Sequence, residues 1–269
     1  ELSAGTVNPD GSVTLTPDQL SGLTITPPAD SNVDFDLTIT ATAVDGDDTA
    51  TTTGTLSVDV LGVADDPTLA TQDVAGLEDT AIPLDISASL TDTDGSETLS
   101  ITISGLPDGA SLSSGSVNPD GSVTLTPDQL AGLELTPPAN SDVDFALTVT
   151  ATTTDVEPAG EGSHTDTASV IGTINVDLAP DADAPVLEIA DVQGLEDNSV
   201  PLDIGAALTD TDGSETLSIT VSDIPEGVTL SAGSMNEDGS VTLTPDQLVG
   251  LSLTAPEHSN VDFELTVTA

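Results

Sequence analysis

One segment of this chain occurs three times with almost no change. The run LSSGSVNPDGSVTLTPDQL at Leu112 to Leu130 recurs as LSAGTVNPDGSVTLTPDQL at Leu2 to Leu20, and as LSAGSMNEDGSVTLTPDQL at Leu230 to Leu248. The offsets are 110 and 118 residues. A fixed period of this kind means one structural unit used repeatedly, so any fold that explains one copy must serve them all. A second marker keeps the period: Gly76-Leu77-Glu78-Asp79 returns as Gly194-Leu195-Glu196-Asp197. The longer spacing places its extra residues between Asp155 and His164, where EPAGEGS replaces the tight Asp45-Gly46 turn. An insertion there reads as a lengthened surface loop.

The phase of the repeat predicts where the units begin and end. Residues 1–41 align with 229–269, so the chain holds two full periods and a further 41 residues. Residues 1–66 are expected to be the C-terminal part of one repeat, 67–184 a complete repeat, and 185–269 the N-terminal part of another. This makes the sequence a window on a longer repetitive chain. Strand exchange between the incomplete ends of separate molecules is the alternative.

Within each period the pattern is that of short strands. Leu99, Ile101 and Ile103 alternate with Ser100 and Thr102. Phe145, Leu147 and Val149 alternate with Ala146 and Thr148, and Ile174, Val176 and Leu178 with Asn175 and Asp177. Strict alternation over such lengths predicts half-buried strands. Asn118-Pro119-Asp120-Gly121 predicts a hairpin turn. Thr126-Pro127-Asp128-Gln129-Leu130 predicts one helical turn with Thr as cap, Pro first inside and Gly132 closing it. About seven strands in about 100 residues predict an all-β chain of cadherin- or immunoglobulin-like β-sandwich repeats arranged end to end. Strands of about ten residues at about 3.3 Å each would make every sandwich about 35 Å long. The three aromatic residues, Phe35, Phe145 and Phe263, share one repeat position in Val-Asp-Phe and are expected to anchor the cores.

Charge then narrows function. The chain has 48 acidic side chains, no Lys and no Arg, for a formal charge of -48. Such self-repulsion opposes any compact state unless cations neutralise it. Disorder is the usual outcome of high charge with few aromatics, but 36% apolar residues in periodic order argue for a fold. Without Lys or Arg there is nothing to neutralise nucleic-acid phosphates or to hold an anionic membrane. No apolar run reaches the roughly 20 residues that span a bilayer. Cysteine is missing, so disulfides do not staple the chain, and Lys-based side-chain cross-links are ruled out too. Metal remains as stabiliser.

The acids recur in groups. Asp92-Thr93-Asp94-Gly95-Ser96-Glu97 returns unchanged as Asp210-Thr211-Asp212-Gly213-Ser214-Glu215. Asp-x-Asp-Gly sets two carboxylates on one side of a tight loop, and Glu adds a third three residues on. Calcium takes six to eight oxygens in flexible geometry, which this supplies in part. The loop is neither an EF-hand nor a glycine-rich nonapeptide. Glu78 and Asp79, with their counterparts Glu196 and Asp197, are further candidates. So are Asp65 and Asp66 before Pro67, and Asp181 and Asp183 before Pro185, where a cation would bridge neighbouring repeats. Asp144, Asp34 and Asp262 of Val-Asp-Phe, and the turn residues Asp45 and Asp155, complete the set.

Catalysis finds little support. His164 and His258 stand at non-equivalent repeat positions and read as surface residues. There is no Gly-x-Ser-x-Gly elbow and no Lys or Cys. Carboxylate pairs serve glycosidases, but the aromatic platforms that accompany them are missing, as they are for a lectin.

The motifs taken in order carry a resemblance. Leu-Glu-Asp-Thr, Leu-Thr-Asp-Thr-Asp-Gly-Ser-Glu-Thr-Leu-Ser, Thr-Leu-Thr-Pro-Asp-Gln-Leu and Val-Asp-Phe-x-Leu-Thr-Val-Thr-Ala resemble the tandem cadherin-like repeats of giant RTX-type bacterial adhesins. That resemblance implies secretion by a type I system, residence at the bacterial cell surface, a role in attachment and biofilms, and Ca2+ at and near the junctions between repeats. The expected function is a calcium-rigidified structural spacer, non-enzymatic, whose partners are the neighbouring repeats of its own chain. The alternative is a self-assembling extracellular fibre or matrix protein, with lateral or strand-exchange contacts. Target recognition would lie in another part of such an adhesin.

Overall fold

The computed structural model describes residues 1–93, 95–156 and 164–269. It is all-β, with sheets of two to six strands and three short 3-10 turns as its only helices among the described residues. None of these is long or apolar enough to cross a membrane. The residues group into two compact units. The first holds Glu1–Val74, Ala81–Thr136 and Phe145–Val176; the second holds Ala75–Thr80, Pro137–Asp144 and Asp177–Ala269.

In the first unit the alternating segments form the strands Glu97–Ser104 and Phe145–Val156, paired antiparallel, with Thr165–Ala179 on the far side of the latter. Val123–Leu125 pairs the other edge of Glu97–Ser104, and Ser116–Val117 continues outward. A second sheet orders Ser111–Leu112, Glu134–Thr136 and Ile82–Pro83. The core lies between the two layers. Ile101, Ile103, Leu125, Leu147, Val149, Ala151 and Ile174 from the larger sheet meet Ile82, Leu84, Leu133 and Leu135, all 5% exposed or less. Period two puts every second residue inward and leaves Thr and Ser outside, where β-branched Thr suits an exposed strand. The result is a β-sandwich.

The turns follow their chemistry. Gly121, at φ +84, closes the Asn118 turn, in which the Asn118 amide donates to the Ser122 carbonyl at 2.8 Å. Pro127–Leu130 is a 3-10 turn. Gln129 reaches back so that its Oε1 accepts from the Thr126 amide at 2.9 Å, and Gly132 follows at φ +71. The Asp45-Gly46 turn joins two 11-residue strands, Phe35–Asp45 and Asp48–Val58. The EPAGEGS insertion lies outside the described residues.

The second unit repeats the scheme. Ile219–Ser222, Val241–Leu243, Ser234–Met235 and Thr266–Thr268 form one sheet, and Ser199–Pro201, Ser252–Thr254 and Thr229–Leu230 another. Its core is Ile219, Val221, Val241, Leu243, Leu248 and Leu251.

The aromatic expectation needs correction. Phe145 and Phe35 each open a strand and are half-buried, and Phe263 is 36% exposed. The core is aliphatic throughout.

Candidate metal centres

Among the described residues two clusters of carboxylates form, and both include acids from the inter-repeat segments or the Asp-x-Asp-Gly loops. In the first, ligand atoms of Asp65, Asp92 and Glu97 all lie within 4.8 Å of one another. Asp92 and Glu97 flank the loop that leads into Glu97–Ser104, so sheet pairing fixes where Glu97 points. Asp65 arrives on the extended segment before Pro67. Its amide donates to Glu97 Oε1 at 2.7 Å, while Glu97 Oε2 is buried with no donor among the described residues. Burial raises the Glu97 carboxyl above its ordinary range, against the lowering effect of the Asp65 amide, and the charges of Asp92, Asp65 and Asp155 add to the rise.

Asp155 backs this cluster. It stands opposite Glu97 on the adjacent strand, where like charges repel, and opposite Asp166 on the other side. It is 4% exposed. Asn32 Nδ2 donates to its Oδ1 at 3.1 Å, and Ser96 Oγ donates to Oδ2 at 3.4 Å. Gly62 is needed beside it, since a Cβ at Gly62 would stand 2.5 Å from both carboxylate oxygens.

The second cluster joins Glu78, Asp210 and Asp212, again within 4.8 Å. Glu78 is 1% exposed. Its amide donates to the Ala179 carbonyl at 3.0 Å, and the Asp181 amide donates to its Oε1 at 2.9 Å. That last bond favours the charged form, but burial and the charges of Asp210, Asp212 and Asp79 outweigh it and hold Glu78 above the ordinary carboxyl range. Asp210 Oδ1 accepts from the Asp212 amide at 2.8 Å. Asp212 Oδ1 in turn accepts from the Ser214 amide at 2.7 Å, and the Ser214 amide and hydroxyl hold Asp212 below the ordinary range. Asp183 donates its amide to Glu215 Oε1 at 2.6 Å. Glu78 Oε2, Asp210 Oδ2 and Glu215 Oε2 are buried without donors among the described residues.

Not every candidate is in a cluster. Asp144 Oδ1 accepts from the Leu178 amide at 2.9 Å, and its counterpart Asp34 does the same for Val60 at 2.8 Å. These two tie the inter-repeat segment to the start of the long hairpin. Asp66 and Glu196 are exposed and outside both clusters. Asp94 lies outside the described residues. Asp79 accepts from the Asn140 amide at 2.9 Å, as Asp197 does from His258 at 2.8 Å. Asn140 and His258 share a positive-φ position with Asp30, which makes His258 a turn residue. Sequence reasoning missed Asn32 and its repeat counterpart Asp142, whose amide donates to the Asp212 carboxylate. Their recurrence after Pro-Pro-Ala-Asx-Ser was the available signal.

The donor set is all oxygen, mostly carboxylate, with buried oxygens facing no donor. In a chain without Lys or Arg no side-chain cation but histidine can answer them. That chemistry fits a hard divalent cation such as Ca2+, held by Asp65, Asp92 and Glu97 in one place and by Glu78, Asp210 and Asp212 in the other.

No protein-family model matches the chain, and no curated protein does. Among solved structures, the chain is similar to one described as the crystal structure of mouse protocadherin-24 EC1-3, with 14% identity and a TM-score of 0.29. The match covers 78% of this chain and 66% of that one, just under two thirds of its length.

Proposed function

We propose that the chain is a calcium-rigidified extender region of a large secreted bacterial surface adhesin. On this reading it is extracellular, it catalyses no reaction, and residues 1–66, 67–184 and 185–269 belong to successive repeats. The motif resemblance supports the placement among RTX-type adhesins, and the sandwich repeats support the role of spacer.

The observation that carries the mechanism is the set of buried carboxylate oxygens without donors beside the inter-repeat segments: Glu97 Oε2, Glu78 Oε2, Asp210 Oδ2 and Glu215 Oε2. A buried unpaired carboxylate costs several kcal/mol unless something positive meets it. Bound Ca2+ supplies that charge and accepts six to eight oxygens. Glu78 and Asp210 reach the second site from elements far apart in sequence, as Asp65 and Glu97 reach the first. Drawing them onto one ion fixes the segment between repeats, so the cation contributes directly to the folded state.

Sedimentation of the 269-residue chain tests this against the fibre reading. A single monomeric species at every concentration in millimolar calcium supports the extender. Concentration-dependent growth without limit would favour self-assembly instead.

A further inference from the structure

The inward row of Phe145–Val156 runs Leu147, Val149, Ala151, Thr153, Asp155, so one hydroxyl stands between the aliphatic core and a buried carboxylate. Thr153 is 0% exposed, and its Oγ1 has no hydrogen-bond partner among the described residues. A buried hydroxyl left unpaired destabilises the fold. The repeat counterpart of Thr153 is Ala43, so the strand itself does not call for a hydroxyl there.

Strand register shows what surrounds it. Thr153 stands opposite Leu99, and Asp155 opposite Glu97. Glu97 is therefore the diagonal neighbour of Thr153 on the same face, at a separation long side chains can reach across. Glu97 Oε2 is likewise buried with no donor among the described residues. Asp155 completes the triangle. It accepts from Asn32 and Ser96, and a carboxylate with about four lone-pair sites has room for a further donor. One hydroxyl thus faces two carboxylates that repel each other across the strands.

We propose that one buried water sits among Thr153, Glu97 and Asp155, and that Thr153 is thereby a positioning residue for the calcium ligand Glu97. Water matches the set. It accepts from the Thr153 hydroxyl and donates to both carboxylates, and about three bonds are usual for a buried water. A carboxylate oxygen can accept two bonds, so Glu97 Oε2 keeps a lone pair for the cation. Such outer partners fix the orientation of a ligand, and their loss weakens metal binding by about 10–100-fold. The water itself does not depend on the calcium reading above; its effect on metal binding does.

Thr153→Val keeps the shape of the side chain and removes the hydroxyl. In chelator this variant of the 269-residue chain should melt several degrees below the unaltered one. Titration with CaCl2, followed by NMR at the Asp65 amide, should show the affinity of that cluster falling by about tenfold or more. Thr153→Ser loses a methyl and keeps the hydroxyl, so it should melt lower yet retain the calcium affinity. A crystal structure grown without calcium should show one ordered water within hydrogen-bond distance of Thr153 Oγ1 and Glu97 Oε2. A Thr153→Val chain that melts as high as the unaltered one, with its calcium affinity intact, overturns the proposal. So does a crystal structure in which the hydroxyl bonds a carboxylate directly or the site is dry. If the unaltered chain takes up no calcium, the calcium reading fails, and the chelator melts and the crystal structure still decide the water.

Discussion

The Asp65 amide donates to Glu97 Oε1 at 2.7 Å, and 118 residues further along the Asp183 amide does the same to Glu215 Oε1 at 2.6 Å. In each pair one Glu oxygen is bound by backbone and the other, Oε2, is buried with no donor. The backbone thus orients a carboxylate whose second oxygen meets no donor among the described residues.

This predicts opposite effects with and without metal. Glu97→Gln removes a buried charge, so in chelator the variant should melt at least as high as the unaltered chain. In millimolar calcium it should melt lower, since a ligand is gone. Thermal melts followed by circular dichroism check both signs.

Proton linkage gives a second test. Burial and neighbouring acids raise Glu78 and Glu97 above their ordinary 4.5. A raised folded-state pKa contributes stability that is present at low pH and lost as pH rises through the raised value. Metal-free protein should therefore gain stability as pH falls from neutral toward about 4.5. Below about 3.8 the trend reverses, because Asp10, Asp120 and Asp238 are lowered by bonds from Ser12, Ser122 and Ser240 and lose them on protonation. Chelator melts across pH 3 to 7 would read this window, with the optimum expected between about 3.8 and 4.5; a monotonic rise toward neutrality would contradict it.

Gly62→Ala puts a methyl 2.5 Å from the Asp155 carboxylate. The strand pairing of Asp155 leaves it little room to yield. A loss of about 1–3 kcal/mol is expected, visible as a drop of several degrees in melting temperature.

Leu147→Ala opens a cavity in the aliphatic core, where Leu147 is fully buried. It should cost about 2–5 kcal/mol while leaving the calcium affinity of the Glu78 cluster unchanged by titration. That separates core stability from metal stability.

Much of this molecule was legible before its fold was known. Alternation placed Ile101, Ile103, Leu147 and Ile174 inside, because period two needs only local sequence. The Pro127–Leu130 turn was legible for the same reason. Recurrence of Asp-x-Asp-Gly-Ser-Glu picked out Asp92, Glu97, Asp210, Asp212 and Glu215. What it could not give was which acids meet. Asn32 bonds Asp155 across 123 residues, and Glu78 joins Asp210 only after the chain has built a whole sandwich between them. Asp144 and Asp34 share the acidity of the cluster residues, yet each is spent on a backbone amide, which depends on strand geometry rather than on composition. Phe35 and Phe145 were misplaced because a hydrophobic residue at a strand's first position can lie outside the centre of the core, and Phe263 precedes its strand.

The most direct measurement is the melting curve of the whole chain in chelator and in millimolar calcium. At a free concentration about a hundred times Kd, each occupied site adds about 2.7 kcal/mol, so the transition should move up by about 10 °C or more. Superimposable curves would contradict the claim that these carboxylates are held together by a cation.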